Sequence, residues 1–417
     1  MLNNHFSNNF LIYNNNQNNT KMEDNLQIQT INLKNQFTKR VNFGHLWIFS
    51  NELVNVPNLE NGCIVKVEDE SGKSYGYAFY NPNSLITCRL LLTNKFPDSE
   101  LFTNRIKDSY NKRLKYINTK ISNSFRVVFG ESDLLPGLVV DKFADYLCIQ
   151  ILSSGMEKYR DIIISSLIEV IPSIKGIYEK SDSHTRKLEG LEEKVGAIYG
   201  DIPEYIEIIE NDLKYSISFI KGQKTGYFLD QKLNREFISK ISDGLDVLDC
   251  YTNLGGFIIN AAKGNAKSTT ALDISKDAIS MAKQNAILNG FDNIDFVVDD
   301  VPNFLKKSFD LNKKWDLIIL DPPSFAKNRK SIPMAKHAYS KINRLAMKLL
   351  NDKGILVSSS CTKHIEEELL LDIILREAQK QNLRFTLIYR GSQPPDHPYL
   401  INMSETNYLK FFVFQLL

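Results

Sequence analysis

Apolar and polar positions in the second half of the chain follow two rhythms in turn. Short apolar runs with polar flanks are followed by stretches of helical spacing, the mark of a parallel sheet with helices on both faces. Leu245–Asp249, Thr269–Leu272, Ile294–Val298, Leu317–Leu320 and Gly354–Ser359 read as five strands. A helix from Phe257 follows the first, and one from about Lys276 to Asn289 follows the second. Phe385–Ile388 and Leu409–Phe414 read as strands that close the sheet as a hairpin around Asp396-His397-Pro398. The fold class expected for residues 205–417 is therefore α/β, Rossmann-like.

Upstream the rhythm differs. Over 26–100, Ile28–Leu33 alternates, Ile64–Val67 and Tyr75–Ala78 flank a turn at Glu70–Lys73, and Ile86–Leu91 adds a strand. That pattern predicts a small all-β module. Gly44–Phe49 is assigned to a loop behind the basic pair Lys39-Arg40, which reads either as a solvated face or as an RNA contact. Residues 101–204 mix the two rhythms. Leu101–Ile121 and Tyr159–Val170 have helical spacing, while Arg126–Phe129, Tyr146–Ile151 and Ile177–Glu179 read as strands. A polar turn is expected over Gly130–Gly137 and a loop over Arg186–Gly190. Residues 1–25 are rich in Asn and without periodicity, which predicts a disordered extension, with Met22 as an alternative start.

At 417 residues the chain exceeds one ordinary domain, and 43% hydrophobic with 24% charged residues is a globular composition. A net charge of +2 confines any nucleic-acid surface to a local patch. No apolar run reaches membrane-spanning length, and the N-terminus lacks the basic-then-apolar order of a secretory signal. The five cysteines, Cys63, Cys88, Cys148, Cys250 and Cys361, are odd in number and scattered, with no CxxC pair. Neither a zinc site nor a disulfide framework is expected, and free thiols point to a reducing, cytoplasmic compartment.

The chemistry collects at the carboxyl ends of the strands, where open α/β sheets bind ligands. The Leu317–Leu320 strand must stop at Asp321-Pro322-Pro323, because proline has a fixed φ and no N–H. A carboxylate, two prolyl carbonyls and Phe325 then project from one rigid turn, suited to a planar hydrogen-bonding ring; a plain strand stop is the alternative reading. Asp249 ends the first strand, before a loop with Asn253, Gly255 and Gly256 that opens a helix. Glycines admit close backbone approach and a helix N-terminus offers free N–H groups. Asp273, ending the second strand, is placed for ribose hydroxyls. Asp300, with Asp299 as the competing choice, is placed for an exocyclic amine such as that of adenine. A nucleoside site without a phosphate-binding lysine fits S-adenosylmethionine better than ATP, and the Gly pattern is wrong for NAD. Cys361 ends the fifth strand in an open loop facing the Asp-Pro-Pro turn, which makes it a candidate nucleophile rather than a buried small apolar residue. His364 reads as a residue at a helix start that can also orient the thiol.

The runs GHLWIFSNE (44–52), GESDLLPGLVVDKF (130–143), GQKTGYFLDQKLNR (222–235), YTNLGGF (251–257), DPPSFAKNRK (321–330), SSSCTKHI (358–365) and DHP (396–398) carry a resemblance. From about residue 27 the chain resembles the ribosomal RNA large subunit methyltransferase I family. The resemblance implies a PUA-like RNA-binding domain at 26–100, a middle α/β domain at 101–204 and an S-adenosylmethionine-dependent methyltransferase domain at 205–417. It implies large-subunit (23S) ribosomal RNA as partner, Gln223 beside the cofactor and Cys361 as the nucleophile that makes 5-methylcytosine. Two motifs depart from the family pattern: the Gly loop reads YTNLGGF, and Thr362 follows the cysteine where Ser is usual. The function expected is methyl transfer to C5 of a cytosine through a Cys361–C6 adduct assisted by Asp321, with Lys39 and Arg40 contacting RNA. The alternatives are 5-methyluridine formation, amino-group methylation of guanine or adenine, and a non-catalytic RNA-binding role. Sequence leaves monomer and homodimer equally open.

Overall fold

The structure, a computed structural model, describes residues 28–326 and 328–417. The extension expected to be disordered at 1–25, with Met22, lies outside the described residues.

Thr30–Leu33, Cys63–Asp69, Ser74–Tyr80, Ile86–Leu90 and Trp47–Phe49 form a five-stranded sheet, adjacent in that order. The first pair is parallel and the rest antiparallel. The expected turn forms because Asp69 accepts from the backbone N–H groups of Ser71 and Lys73, with Gly72 at φ +85°. Ile31, Leu33, Val65, Val67, Ala78 and Leu90 face one core. Trp47–Phe49, expected in a loop, is the edge strand beside Ile86–Leu90. Three residues are too few for alternation to register in sequence, but Ile48 is fully buried by the pairing.

A second sheet runs Lys194–Gly200, Gly176–Ser181, Tyr146–Ile151, Leu138–Phe143, Ser124–Phe129 in spatial order. The helices Ser99–Tyr116 and Arg160–Val170 pack on it through Phe102, Ile106, Ile163 and Leu167. Asp98 caps the first of these helices through the N–H of Leu101. Residues 186–190, expected as a loop, begin inside the helix His184–Leu188, capped by Ser183. That helix delivers Glu189 into a buried junction with the first sheet. One carboxylate oxygen accepts from Ser84 and from Arg89, at 3.0 and 2.9 Å. The other accepts from Asn81 at 3.0 Å and from Ser154. Burial opposes the charge, but Arg89 and these donors hold the carboxyl below its usual range.

A ribbon of Ile206–Glu210 and Leu213–Ile217, turning through Asn211 and Asp212 at positive φ, leads into the last sheet. Its spatial order is Asp295–Val298, Ser268–Asp273, Asp246–Cys250, Trp315–Leu320, Leu350–Ser360, Lys410–Leu416, Phe385–Gly391. The first five are parallel and the last two antiparallel. Leu317 to Leu320 are fully buried on both faces, as their unbroken apolar run requires. Both sides carry helices, among them Gly256–Lys263, Lys276–Leu288 and Ile332–Met347. The two closing strands do pair, but residues 392–409 between them make no tight turn. They cross to the second sheet, where Asp396 accepts from the backbone N–H of Arg126 and Arg113 donates to the Asp396 carbonyl. Arg126 also makes a two-point ion pair with the fully buried Asp141, which accepts from Thr225 as well. Among the described residues no helix is long and apolar enough to cross a membrane.

Candidate active site

The strand Asp246–Cys250 ends in a loop whose backbone is bent sharply. Tyr251, Asn253 and Gly255 have φ of +69°, +50° and +85°, and Gly255 opens the helix Gly256–Lys263. A Cβ on Gly256 would lie 2.6 Å from Arg235 Nε, so residue 256 must be glycine unless Arg235 moves. Asp249 organises this loop from beneath: one oxygen accepts from Thr252 Oγ1 at 2.6 Å and from the N–H of Ile258 at 3.2 Å. Its other oxygen is buried without a partner, and burial pushes the carboxyl up to about 7. Asp273 pins the same loop, accepting from the N–H of Asn253 at 3.0 Å and of Ser275 at 2.9 Å. Asp300 caps the helix Val301–Asp310 by accepting from the N–H of Asn303, whereas Asp299 is paired with Lys307 at 2.8 Å. Burial pushes the Tyr251 phenol up, and the charges of Asp300 and Asp273 add to that.

Beside the loop lies a cleft of about 630 Å³ lined by Gln223, Phe228, Asn253, Leu254, Ala278 and Met281, among others. It takes in Gln223 and Asn253 but not Asp249, Asp273 or Asp300, so it adjoins the carboxylate cluster rather than containing it.

The other half of the site is built where the strands Trp315–Leu320 and Leu350–Ser360 end side by side. Asp321 accepts from Gln231 Nε2 at 2.9 Å, and the same amide donates to Ser359 Oγ at 3.0 Å. Asn234 donates to Gln231 Oε1 at 2.6 Å, which fixes the amide's orientation. Burial raises the Asp321 carboxyl to about 6 against these hydrogen bonds. Pro322 is buried and Pro323 exposed, while the half-buried Phe325 ring meets Tyr339 edge-on with centroids 4.9 Å apart. Cys361 follows the neighbouring strand and is half-buried. Burial raises its thiol, and the charge of Lys224 is the largest influence toward the thiolate. Ser324 and Thr362 join the two turns through their hydroxyls at 3.1 Å, and Lys410 Nζ donates to the Thr362 carbonyl at 2.8 Å. His364 is half-buried among Lys363, Arg329 and Lys410, and burial with these charges lowers its pKa.

Lys39 and Arg40 fall on the helix Thr38–Asn42, far from the strand ends in sequence. Lys39 is exposed; Arg40 is taken up by Glu52, the Trp47 carbonyl and the His45 ring. Trp47 links the first sheet to the site: Lys363 lies over its ring at 5.3 Å, and its indole N–H donates to Glu131 at 2.8 Å.

Gln231, Asp230, Lys224, Tyr408 and Lys410 were not singled out from sequence. The first three sit in the GQKTGYFLDQ run, whose resemblance implies a cofactor role for the surroundings of Gln223 but no contact with Asp321 or Cys361. The last two reach the site through strand pairing across some fifty residues, as Ser360 opposite Lys410 shows.

Residues 192–414 match the model of the S-adenosylmethionine-dependent methyltransferase family, and residues 31–93 match that of the PUA-like domain. The ribosomal RNA large subunit methyltransferase I of Tolumonas auensis is 36% identical over 391 residues, 92% of this chain and 98% of that protein. Its counterpart in Aeromonas salmonicida is 36% identical over 375 residues, 88% of this chain and 94% of that protein. A solved structure described as a methyltransferase complexed with SAH superposes with a TM-score of 0.83 at 24% identity, over 93% of this chain and all of that one. A methyltransferase structure from Streptococcus mutans gives 0.82 at the same identity. At that identity the likeness shows the shared fold.

Proposed function

The chain belongs to the ribosomal RNA large subunit methyltransferase I family and is an S-adenosylmethionine-dependent methyltransferase of ribosomal RNA, and we propose that its product is 5-methylcytosine, made through a covalent bond from Cys361 to C6 of the base. The observation that carries this reading is a thiol and a strand-end carboxylate held in adjacent turns by the Ser324–Thr362 contact.

C5 of cytosine is not nucleophilic by itself. Addition of the Cys361 thiolate to C6 makes C5 enamine-like, able to attack an electrophilic methyl group. Lys224 favours the thiolate. The charge released into the ring falls on N3 and O2. Asp321, raised to about 6, can share a proton with N3, and Gln231 keeps it in place. Pro322, Pro323 and Phe325 frame the base, which must leave its stack to enter. An amino-methylating enzyme would have no use for the thiol.

The loop residues fit S-adenosylmethionine. Asp249 offers a buried, unpartnered oxygen to a cationic group, and Gly255 and Gly256 let the loop backbone pack against Ile259, Ala282 and Arg235, where a side chain would collide. Gln223, Asn253, Asp273 and Asp300 complete the set that would hold the cofactor, which supplies the methyl group. Residues 26–100 serve RNA binding, 101–204 connect, and 205–417 carry the chemistry, in the cytoplasm. Lys39 is the cation of its pair left open to phosphate, because Arg40 is occupied within its own sheet.

RNA carrying 5-fluorocytosine tests the reading, since fluorine cannot leave C5 as a proton. The enzyme should form a denaturant-stable complex with it. Cys361→Ala should abolish both complex and turnover, and Cys250→Ala, buried beneath the loop, should still trap. Trapping of 5-fluorouridine RNA instead would make the product 5-methyluridine. Turnover by Cys361→Ala would remove the adduct altogether.

A further inference from the structure

The adduct route leaves one proton unassigned, the one on C5 after the methyl group arrives. Asp230 is 6% exposed and sits in the short helical turn Leu229–Gln231. Its chain neighbour Gln231 donates to Asp321. On its other side Tyr408 donates to Asp230 Oδ2 at 2.5 Å, and Lys410, two residues on, binds the carbonyl next to Cys361. Asp230 is thus linked to the base-reading carboxylate through its chain neighbour Gln231 and to the nucleophile loop through Tyr408 and Lys410. Its second oxygen, Oδ1, is buried and has no hydrogen-bond partner. A buried lone pair without a donor is costly unless a ligand or a transferred proton meets it.

We propose that Asp230 is the base that takes the C5 proton, with Tyr408 as the residue that positions it. This rests on the cytosine-C5 reading. After methyl transfer, C5 bears a methyl group and a hydrogen, and C6 bears the Cys361 sulfur. The Asp230 carboxylate takes the hydrogen as a proton. The C–H electron pair restores the C5–C6 double bond, the C6–S bond breaks, and the sulfur leaves as thiolate.

The groups facing Asp230 suit the task. Burial works to raise its pKa, but Lys224, His397, the Tyr408 hydroxyl and Arg126 outweigh it and keep the carboxyl below its usual range. It is therefore ionised at neutral pH. Asp321 and Cys361 each register its charge. Asp321 is committed to Gln231 and to the base edge, and Lys410 spends its ammonium on two carbonyls.

Asp230→Asn in the full chain separates this step from the earlier ones. With in vitro transcribed large-subunit ribosomal RNA containing ordinary cytosine, the variant should lose turnover by roughly 10²–10⁴-fold. It should instead accumulate a denaturant-stable protein–RNA complex carrying labelled methyl, absent in the Cys361→Ala double variant. Turnover near the wild-type level overturns the assignment. So does a well-folded variant that no longer traps even 5-fluorocytosine RNA, because Asp230 would then act before the methyl arrives. Failure of the wild-type enzyme to trap 5-fluorocytosine RNA overturns the underlying reading and the base with it. Tyr408→Phe is the milder companion. Losing the phenol donor raises the Asp230 pKa, so the acid limb of the turnover profile should move to higher pH while trapping is unchanged. An unmoved limb counts against Asp230.

Discussion

Ser324 and Thr362, thirty-eight residues apart, meet hydroxyl to hydroxyl at 3.1 Å and tie the turn after one strand to the loop after its neighbour. Thr362 is fully buried and also meets the Tyr339 hydroxyl at 3.2 Å. The separation of Asp321 from Cys361 is thereby fixed by side chains as well as by strand register.

Thr362→Val keeps the shape and removes both hydroxyl contacts. It should cost about 0.5–1.5 kcal/mol in urea denaturation, the net worth of a hydrogen bond, since Tyr339 keeps its bond to Ser360 and Ser324 is open to water. It should also slow capture of 5-fluorocytosine RNA more than Ser324→Ala, which opens at an exposed residue. Capture at the wild-type rate by the valine variant would show that the contact does not position the thiol.

Asp249 predicts a pH signature. Its folded pKa, about 7, lies above the unfolded value near 3.9. Burying the carboxyl therefore costs nothing below about pH 4, progressively more as the pH rises from 4 to 7, and its full amount above 7. The difference between Asp249→Asn and wild type should climb in favour of the variant across that window, by on the order of 4 kcal/mol. Thermal melts at several pH values measure it, and a flat difference rejects it. The same window should govern S-adenosylmethionine affinity in calorimetry, with wild type binding more tightly as pH rises and the variant showing little dependence.

Gln231→Leu strips Asp321 of a donor that lowers its pKa. If protonated Asp321 serves N3, the alkaline limb of turnover should shift upward in pH. Asp321→Asn should cut turnover while leaving cofactor affinity within a few-fold. A rate profile indifferent to Gln231 would separate the two residues functionally.

Arg126→Ala leaves Asp141, fully buried, without its ion-pair partner. Removing one member of such a pair typically costs about 3–5 kcal/mol. Denaturation should show a loss of that size. A loss under 1 kcal/mol would mean that water or Thr225 takes over the charge.

The strand ends were legible because a buried parallel sheet writes apolar runs, which here stop at an acid, at prolines or, in the fifth strand, at Ser360-Cys361. Asp249, Asp273, Asp321 and Cys361 are read directly from those stops. Other parts depended on contacts that leave no periodic trace. Gln231 is an ordinary polar residue on a short helix until its amide is seen between Asp321 and Ser359. Trp47–Phe49 is too short a strand to alternate, and Arg186–Gly190 hides its helix in five residues. Arg40 read as a candidate RNA contact because its acidic partner Glu52 lies twelve residues away. Tyr408 and Lys410 join the site only because the last strand inserts between two others.

The junction around Glu189 bears on how such a chain can drift. Asn81 and Ser84 from a connection of the first sheet, Arg89 from one of its strands and Ser154 from a helix start all converge on that one carboxylate. Replacing the acid takes a partner from all four at once, with Arg89 left to Glu131 alone, and no single second change restores them. Positions 81, 84, 89 and 189 should therefore be inherited as a block across relatives, altered together or not at all, while the surrounding surface varies freely. A graft of the N-terminal unit from a distant relative would then succeed only if its recipient carries the matching acid.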